Sequence, residues 1–413
     1  MSAGDINRVI IIGAGQGGGE VAQRLRQGGF EGDITLIGEE PSAPYQRPPL
    51  SKAYLKGDLS MDRLLLRPPS VYAEENIALI SPVRAVWIDR KSKRVRLEGG
   101  RELPYDALVL ATGARPRKLP LSGADLAGVH LFRTAADVDA IRPKFVSGAK
   151  LIVVGAGYIG LEVAAVARQR GLEVTVIETA VRPLARVTSP EVAGFFLDEH
   201  TRQGVRFVLG GTPAVIKGQE HVTGVGLTDG AELPADLVIA GIGVNPEVTL
   251  AQQCSLAVDN GIVTDHECRT DDPAIFAIGD CANRPITQFD NRRVRLESVH
   301  NAIEGAKIVS AAILRQKPPT LEAPWFWSDQ YDLKLQIAGL FQGYDHIAFR
   351  GVPESRSFAA FYYKASKLIA VDAVNRPGEY LGAKILIQAG KTVAPEVLTD
   401  ESRPMKELVV VAR

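Results

Sequence analysis

Two glycine turns of one form, Gly13-Ala14-Gly15-Gln16-Gly17-Gly18 and Gly155-Ala156-Gly157-Tyr158-Ile159-Gly160, set what this chain can fold into. Each follows a short run of branched apolar residues, positions 9–12 and 151–154. Each is followed by a helix-compatible stretch and then by a second apolar run ending in an acid, Glu39 in the first copy and Glu178 in the second. One such glycine spacing alone is weak evidence, because glycine is common. Two complete strand–turn–helix–strand–acid units predict two dinucleotide sites, each on its own Rossmann-like α/β domain. A chain that holds two dinucleotides is most simply one that passes electrons between them.

The residue types carry the chemistry. Gly13 and Gly155 allow the tight turn out of the first strand, and Gly15 and Gly157 leave room for a pyrophosphate at the backbone. Gly18 and Gly160 let the helix pack closely on the strand. The helix N-terminus then offers free N–H groups and partial positive charge to the phosphates. Glu39 and Glu178 can accept hydrogen bonds from ribose hydroxyls. A glutamate at 178 also repels a 2′-phosphate, so the second site is expected to prefer NADH to NADPH. Arg182 and Arg186 work against that preference, since arginines near this turn can serve a phosphate.

At 413 residues the chain has room for two or three domains. Its formal net charge is zero, so nothing global favours nucleic acid or an anionic membrane. The N-terminal apolar run is broken by glycines too early for a secretory signal, and the longest apolar stretch, 151–167, contains glycines and Glu162. The three cysteines, Cys254, Cys268 and Cys281, form no C-x-x-C pair and suit a reducing cytoplasm. The six histidines have no metal-ligand spacing, so no metal is expected.

Between the repeats, the proline-rich segment 44–52 predicts a fixed, extended loop close to the first nucleotide, with Lys52 adding a positive charge beside the cofactor ring. Residues 83–97 alternate around a polar turn and predict a hairpin. The strand-like run 107–110 enters the small-residue turn Ala111-Thr112-Gly113, and 237–240 entering Gly241 repeats that ending in the second unit. A third such run, 274–278, leads into Gly279-Asp280, and is expected to rejoin the first sheet with Asp280 starting a helix where it can bind a polyol hydroxyl. From about residue 324 the pattern becomes short alternating strands with a helical tail, an antiparallel α+β domain. The expected fold class is therefore α/β, with two Rossmann-like dinucleotide-binding domains, the first one discontinuous, plus a C-terminal α+β domain. The expected segments are 1–114 and 246–323 for the first domain, 115–245 for the second, and 324–413 for the third.

These landmarks together resemble the FAD-dependent, NADH-linked ferredoxin reductases of bacterial oxygenase systems. The match is carried by 47–52 (Arg47 through Lys52), Ala111-Thr112-Gly113, Gly155 through Glu162, Ala277-Ile278-Gly279-Asp280 and Trp325-Phe326-Trp327-Ser328-Asp329-Gln330, and it runs nearly end to end. The resemblance implies FAD at the first site and NADH at the second. It implies Gly17, Glu39, Lys52, Ala85, Arg133, Asp280, Val299 and Trp327 at FAD, with Ala85 and Val299 acting through backbone. It implies Tyr158, Ile159, Glu162, Glu178, Arg186, Ile242 and Gly243 near NADH. Lys52 and Glu162 are expected to meet beside the reactive flavin nitrogen, and with Trp327 they are the residues placed at the reacting rings.

The reaction implied by the resemblance is hydride transfer from NADH to FAD, then single electrons to a 2Fe-2S ferredoxin that serves a monooxygenase or dioxygenase. It needs no nucleophile, because the cofactors carry the chemistry. A disulfide reductase or peroxide-handling oxidase needs a redox cysteine, and none precedes Cys254. Rubredoxin reductase and a non-enzymatic NADH-sensing flavoprotein are the alternatives. A cytoplasmic monomer or weak dimer is expected, without nucleic-acid or membrane partners.

Overall fold

The computed structural model describes residues 6–411 and contains two parallel sheets built to one plan. In the first, the strands run in the order Ile275–Ala277, Ala107–Leu110, Arg8–Ile12, Asp33–Ile37 and Ile77–Ile80, all parallel. In the second the order is Val129–Leu131, Leu237–Ala240, Lys150–Val154, Glu173–Glu178 and Arg206–Leu209, again all parallel. The central strands are near-continuous branched apolar runs because helices cover both faces of such sheets. Residues 9–12, 107–110 and 237–240 are buried without alternation.

The repeat extends beyond the sheets. A three-stranded antiparallel sheet precedes the fourth strand in each copy. It comprises Ala85–Asp89, Arg94–Leu97 and Glu102–Pro104 in the first, and Pro213–Gly218, Val222–Leu227 and Glu232–Pro234 in the second. The copies differ in the source of the outermost strand. The second sheet takes it from the chain before its first glycine turn, and the first takes it from the chain that returns after residue 245.

The chain divides into two compact units. One runs from the N-terminal end to Gln46 and adds Met61–Arg115 and Asn245–Glu322. The other comprises Arg47–Ser60, Pro116–Val244 and the remainder from Ala323. The short segment 47–60 therefore belongs with the second nucleotide fold and not with the first. The contacts that hold it there include Arg47 Nη1 donating to the Arg133 carbonyl at 2.9 Å, Tyr54 OH donating to Asp139 Oδ1 at 2.9 Å, and the pairing of Lys52 with Glu162.

This segment is not the extended loop that its prolines predict. Pro48–Ser51 forms a 3-10 turn and Ala53–Lys56 a short helix that stops at Gly57. Proline is compatible with the first turn of a helix, where its missing N–H is not needed. The prolines thus forbid a long helix but not a single turn. Asp280 also departs from expectation. It lies in the 3-10 turn Gly279–Cys281, and the chain then enters the strand Ala282–Ile286, paired with Ile262–Val263 and Arg292–Val294. That pairing takes the backbone into a sheet, so the 3-10 turn is not continued as an α-helix. The helix that reaches this turn is Val299–Ile313: its Asn301 Nδ2 donates to the Gly279 carbonyl at 3.3 Å.

The C-terminal stretch forms an antiparallel sheet in the order Trp325–Gln330, Leu333–Gly339, Lys367–Val374, Ser357–Lys364 and His346–Val352. The helix Pro377–Gln388 packs on its two strands Leu333–Gly339 and Lys367–Val374. The strand Trp325–Gln330 lies against the helix Tyr158–Gln169, which joins this sheet to the second nucleotide fold within one unit. No described helix is long and apolar enough to cross a membrane.

Candidate functional site

In the first unit, the parallel arrangement brings four strand ends to one edge of the sheet. Gly13 follows Ile12, Glu39 lies just beyond Ile37, Ala111-Thr112-Gly113 follow Leu110, and Gly279-Asp280 lie just beyond Ala277. In open parallel sheets this carboxyl edge is where ligands bind. Gly13 has φ +114°, and a Cβ there would run into the Ala111 carbonyl. A Cβ on Gly18 would collide with the Gly13 carbonyl, so that glycine is required by helix–strand packing. Gly17 is less constrained: the nearest atom to where its Cβ would stand is the end of the Ile278 side chain at 3.2 Å, a tight contact but not a backbone collision.

Gly15 is different. Nothing lies within 4 Å of the position its Cβ would occupy, so the protein itself gives no reason for a glycine there. The second turn repeats this division of roles. Gly155 has φ +105° and would strike Gly241, Gly160 would strike Gly155, and Gly157 faces open space. The helices that start at these turns are N-capped by Gly15 and Gly157 with no side-chain cap. Thr134, Ser189 and Ser298 side chains cap three other helices, while Pro377–Gln388 also lacks a side-chain cap, so it is the pairing with an uncrowded glycine at the sheet edge that marks these two turns. Two uncapped helix N-termini beside an uncrowded glycine are what two pyrophosphates require.

The two acids are held differently. Glu178 accepts from the Ala156 N–H at 2.8 Å through Oε2 and from the Ala180 N–H at 2.9 Å through Oε1, so it is fixed against its own glycine turn. Glu39 instead meets Arg84 Nε at 2.9 Å and Arg115 Nη2 at 2.8 Å. All three of those side chains are about half exposed, and such pairs are worth only about 0–1 kcal/mol, weak enough to yield to a ribose. Arg182 points at the Thr188 and Ala185 carbonyls, at 3.2 and 3.0 Å, and is engaged there. Arg186 is exposed, and its Nη2 is 3.7 Å from the point where a Cβ on Gly243 would stand. Ile242 and Gly243 follow the strand Leu237–Ala240 at the same sheet edge. Tyr158 and Ile159 open the helix after the second turn. The Tyr158 ring lies 4.9 Å from that of Phe326, and burial holds its phenol well above its usual range. Ile159 is left exposed at the helix start.

The second unit also contains a buried ionic cluster. Glu162 is 4% exposed, and its Oε2 lies 2.7 Å from Lys52 Nζ. Ser51 Oγ donates to the same oxygen, and Ser328 Oγ donates to Oε1 at 2.6 Å. Lys52 also donates to the Pro48 carbonyl at 3.2 Å. The Pro48–Ser51 turn exists to present Ser51 and Lys52 together, and Glu162 comes one helical turn after Tyr158. Arg133 is on the same unit, beside that turn through its carbonyl bond to Arg47.

Trp327 does not join this cluster. Along Trp325–Gln330 successive side chains alternate faces, so Phe326, Ser328 and Gln330 share one side and Trp325, Trp327 and Asp329 the other. Phe326 and Ser328 meet Tyr158 and Glu162, whereas the Trp325 and Trp327 rings lie 5.6 Å apart, with Lys384 Nζ 5.2 Å from the Trp325 ring. Ala85 opens its small sheet, buried, and Val299 is the first residue of the helix Val299–Ile313; both lie on the first unit with Gly17, Glu39 and Asp280. Sequence reasoning missed Ser51 and Ser328 as members of the cluster, and with them Gln330 and His200, which extend it: Gln330 Nε2 donates to Ser328 Oγ at 3.1 Å, and Gln330 Oε1 lies 2.8 Å from His200 Nε2. Ser51, Ser328 and Gln330 lie inside segments singled out for other residues, and strand alternation alone would have separated Ser328 and Gln330 from Trp327.

Among known families, the pyridine nucleotide-disulphide oxidoreductase model matches residues 7–306 and the reductase C-terminal model matches residues 325–409. The chain is 44% identical to putidaredoxin reductase of Pseudomonas putida, over 100% of this chain and 99% of that protein. It is 43% identical to rhodocoxin reductase of Rhodococcus erythropolis, over 96% and 93% of the two chains. Among solved structures it is similar to the covalent putidaredoxin reductase–putidaredoxin complex, with TM-score 0.96, 43% identity and 99% of each chain covered.

Proposed function

The chain belongs to the pyridine nucleotide-disulphide oxidoreductases, in the group that carries a reductase C-terminal domain, and we propose that it acts as an NADH-dependent, FAD-containing ferredoxin reductase. The observation that carries this reading is the pair of uncrowded, uncapped glycine turns, one at the carboxyl edge of each parallel sheet. Disulfide chemistry does not fit, because Cys254, Cys268 and Cys281 are free and buried, and burial pushes each thiol above its usual range.

FAD occupies the first turn, in the domain formed by 1–114 and 246–323 without the segment 47–60, with Gly15, Glu39, Ala85, Asp280 and Val299 around it. NADH occupies the second turn, in 115–245, with Gly157, Tyr158, Ile159, Glu178, Arg186, Ile242 and Gly243. The resemblance assigns Lys52, Arg133 and, from the third domain, 324–413, Trp327 to the flavin as well. Bound FAD supplies the conversion of a two-electron donor into a one-electron donor. The protein's own contribution is positioning: Glu178 stiffens the second turn, and Glu162 fixes the Lys52 ammonium at one place. The acceptor is a 2Fe-2S ferredoxin of an oxygenase system, and the enzyme works in the cytoplasm as a monomer or weak dimer.

Denaturing the purified protein should release one FAD per chain, identified by chromatography; FMN or no flavin would remove the two-dinucleotide reading. The holoprotein should then reduce a 2Fe-2S ferredoxin with NADH faster than it reduces a rubredoxin, and the reverse order would assign it to rubredoxin instead.

A second expected result concerns the nicotinamide cofactor. Two like charges near 4 Å cost about 1 kcal/mol in water and about 4 kcal/mol near a protein surface, so Glu178 should give NADH at least about a fivefold advantage in kcat/KM over NADPH. Glu178→Gln keeps a carbonyl acceptor for one of the two N–H bonds and drops the charge. It should narrow the ratio mainly by improving NADPH. A ratio unchanged in that variant would place the discrimination elsewhere.

A further inference from the structure

The Lys52–Glu162 pair is one end of a longer hydrogen-bonded chain on the second unit. Ser328 Oγ is 2.6 Å from Glu162 Oε1, and Gln330 Nε2 is 3.1 Å from Ser328 Oγ. Gln330 Oε1 is 2.8 Å from His200 Nε2, and Tyr331 OH is 3.1 Å from His200 Nδ1. Ser328, Gln330 and His200 are all buried.

The charge at one end fixes the direction of every bond. Glu162 faces Lys52 as a carboxylate, so it only accepts, and the single Ser328 proton goes to it. Ser328 must then accept from Gln330, which turns the amide N–H₂ toward the serine and the amide oxygen toward His200. That oxygen can only accept, so His200 Nε2 carries a proton. Burial pushes the imidazole down to about 4, so it is neutral at ordinary pH and Nδ1 is bare. Tyr331 therefore donates to Nδ1. Each step has one donor and one acceptor, all running toward Glu162.

An independent observation marks the far end. Tyr331 occupies the tight turn between the strands Trp325–Gln330 and Leu333–Gly339 with φ +57°, a backbone region that bulky residues avoid and that asparagine or glycine would serve better. Its ring lies 5.0 Å from that of His200. The turn thus holds a strained tyrosine in contact with the histidine.

We propose that Tyr331, His200, Gln330 and Ser328 are positioning residues, a one-way chain of donors that holds the Glu162 carboxylate, and through it the Lys52 ammonium, in one orientation for flavin reduction. The inference rests on placing that pair beside the flavin ring. A proton wire is not implied, because the amide passes orientation along the chain without giving up a proton.

The test has two independent readouts. The first is ¹⁵N NMR of the imidazole in the wild-type holoprotein: a protonated Nε2 and a hydrogen-bonded, bare Nδ1 across about pH 6–8 are expected, with the Nδ1 signal moving in Tyr331→Phe. A charged ring, or a proton on Nδ1, overturns the chain. The second is stopped-flow flavin reduction. Ser328→Ala and Gln330→Met should each lower the limiting rate about tenfold, in line with one lost hydrogen bond to a charged group, with NADH affinity held within about twofold. Ser328→Thr should restore the rate. The Ser328→Ala/Gln330→Met double variant should be no slower than either single one, because both break the same chain. A multiplicative double variant, or wild-type rates in both single variants when Lys52→Met is slow, overturns the proposal. If Lys52→Met itself reduces flavin at the wild-type rate, the placement of the pair at the flavin is what fails.

Discussion

Lys52→Met is expected to destabilise the folded protein by about 3–5 kcal/mol and to slow flavin reduction by NADH at least tenfold. Glu162 would remain as a carboxylate only 4% exposed, its ammonium partner at 2.7 Å gone. Ser51 and Ser328 would still donate to it, but two hydroxyls do not replace a cation in a buried site. The Lys52 side chain is 19% exposed, so the charge lost is partly solvated and the lower end of that range is expected. The double variant Lys52→Met/Glu162→Gln separates stability from function. It removes both charges, keeps an amide whose oxygen can accept from Ser328 while its N–H₂ donates to Ser51, and should recover most of the lost stability. It should not recover the rate, because the ammonium is still absent. Urea unfolding of the FAD-saturated protein gives the first quantity and stopped-flow absorbance the second. A single variant within 1 kcal/mol of wild type would mean that water already screens the pair. A double variant as fast as wild type would mean that the pair only supports the fold.

Those effects depend on residues that the sequence reveals unequally. The two nucleotide folds are legible because their signals are local. A branched run, a glycine turn and a terminal acid lie within one stretch, and the parallel sheet then places Gly13, Glu39 and Gly279 at one edge without further information. The antiparallel C-terminal sheet is legible for the same reason, since period-2 alternation is a property of each strand alone. The buried cluster is not local. Ser51 and Lys52, Glu162, and Ser328 come from three separated stretches, and only the packing of the segment 47–60 onto the second fold brings them together. Composition near residue 50 indicates a proline-rich connector, and nothing in it says which fold it will join. Asp280 illustrates the opposite error. A strand running into Gly-Asp is read as the start of a helix, yet pairing of Ala282–Ile286 with two partner strands overrides that local preference. Trp327 lies in the most distinctive motif of the chain, and the alternation within that motif assigns it a face opposite to Ser328 and Gln330.

The glycine turns allow the sharpest separation of folding from binding, because the glycines of one motif are required for different reasons. Gly157 has ordinary extended backbone, with φ −79° and ψ −179°, and open space where a Cβ would stand. Gly157→Ala should therefore fold about as well as wild type, the gain of about 0.4–1 kcal/mol from restricting the unfolded chain being offset by the poorer N-cap that alanine makes. Gly155→Ala meets a φ of +105° and the Gly241 backbone, and Gly160→Ala meets the Gly155 carbonyl, so both should yield little folded protein. Binding should rank otherwise. The methyl of Gly157→Ala would stand where a pyrophosphate approaches the helix N-terminus, and displacing it weakens charge-assisted bonds worth about 1.5–3 kcal/mol each. NADH affinity should fall about ten- to a hundredfold, while the flavin content stays at one per chain. Gly15→Ala makes the converse prediction, since that position is equally open and its helix equally uncapped: a folded protein that loses FAD on gel filtration. Thermal melting of the apoproteins, flavin content and NADH titration give the three quantities. If Gly157→Ala binds NADH as tightly as wild type, the open space at that glycine is not the pyrophosphate site, and the assignment of NADH to the second turn loses the observation it stands on.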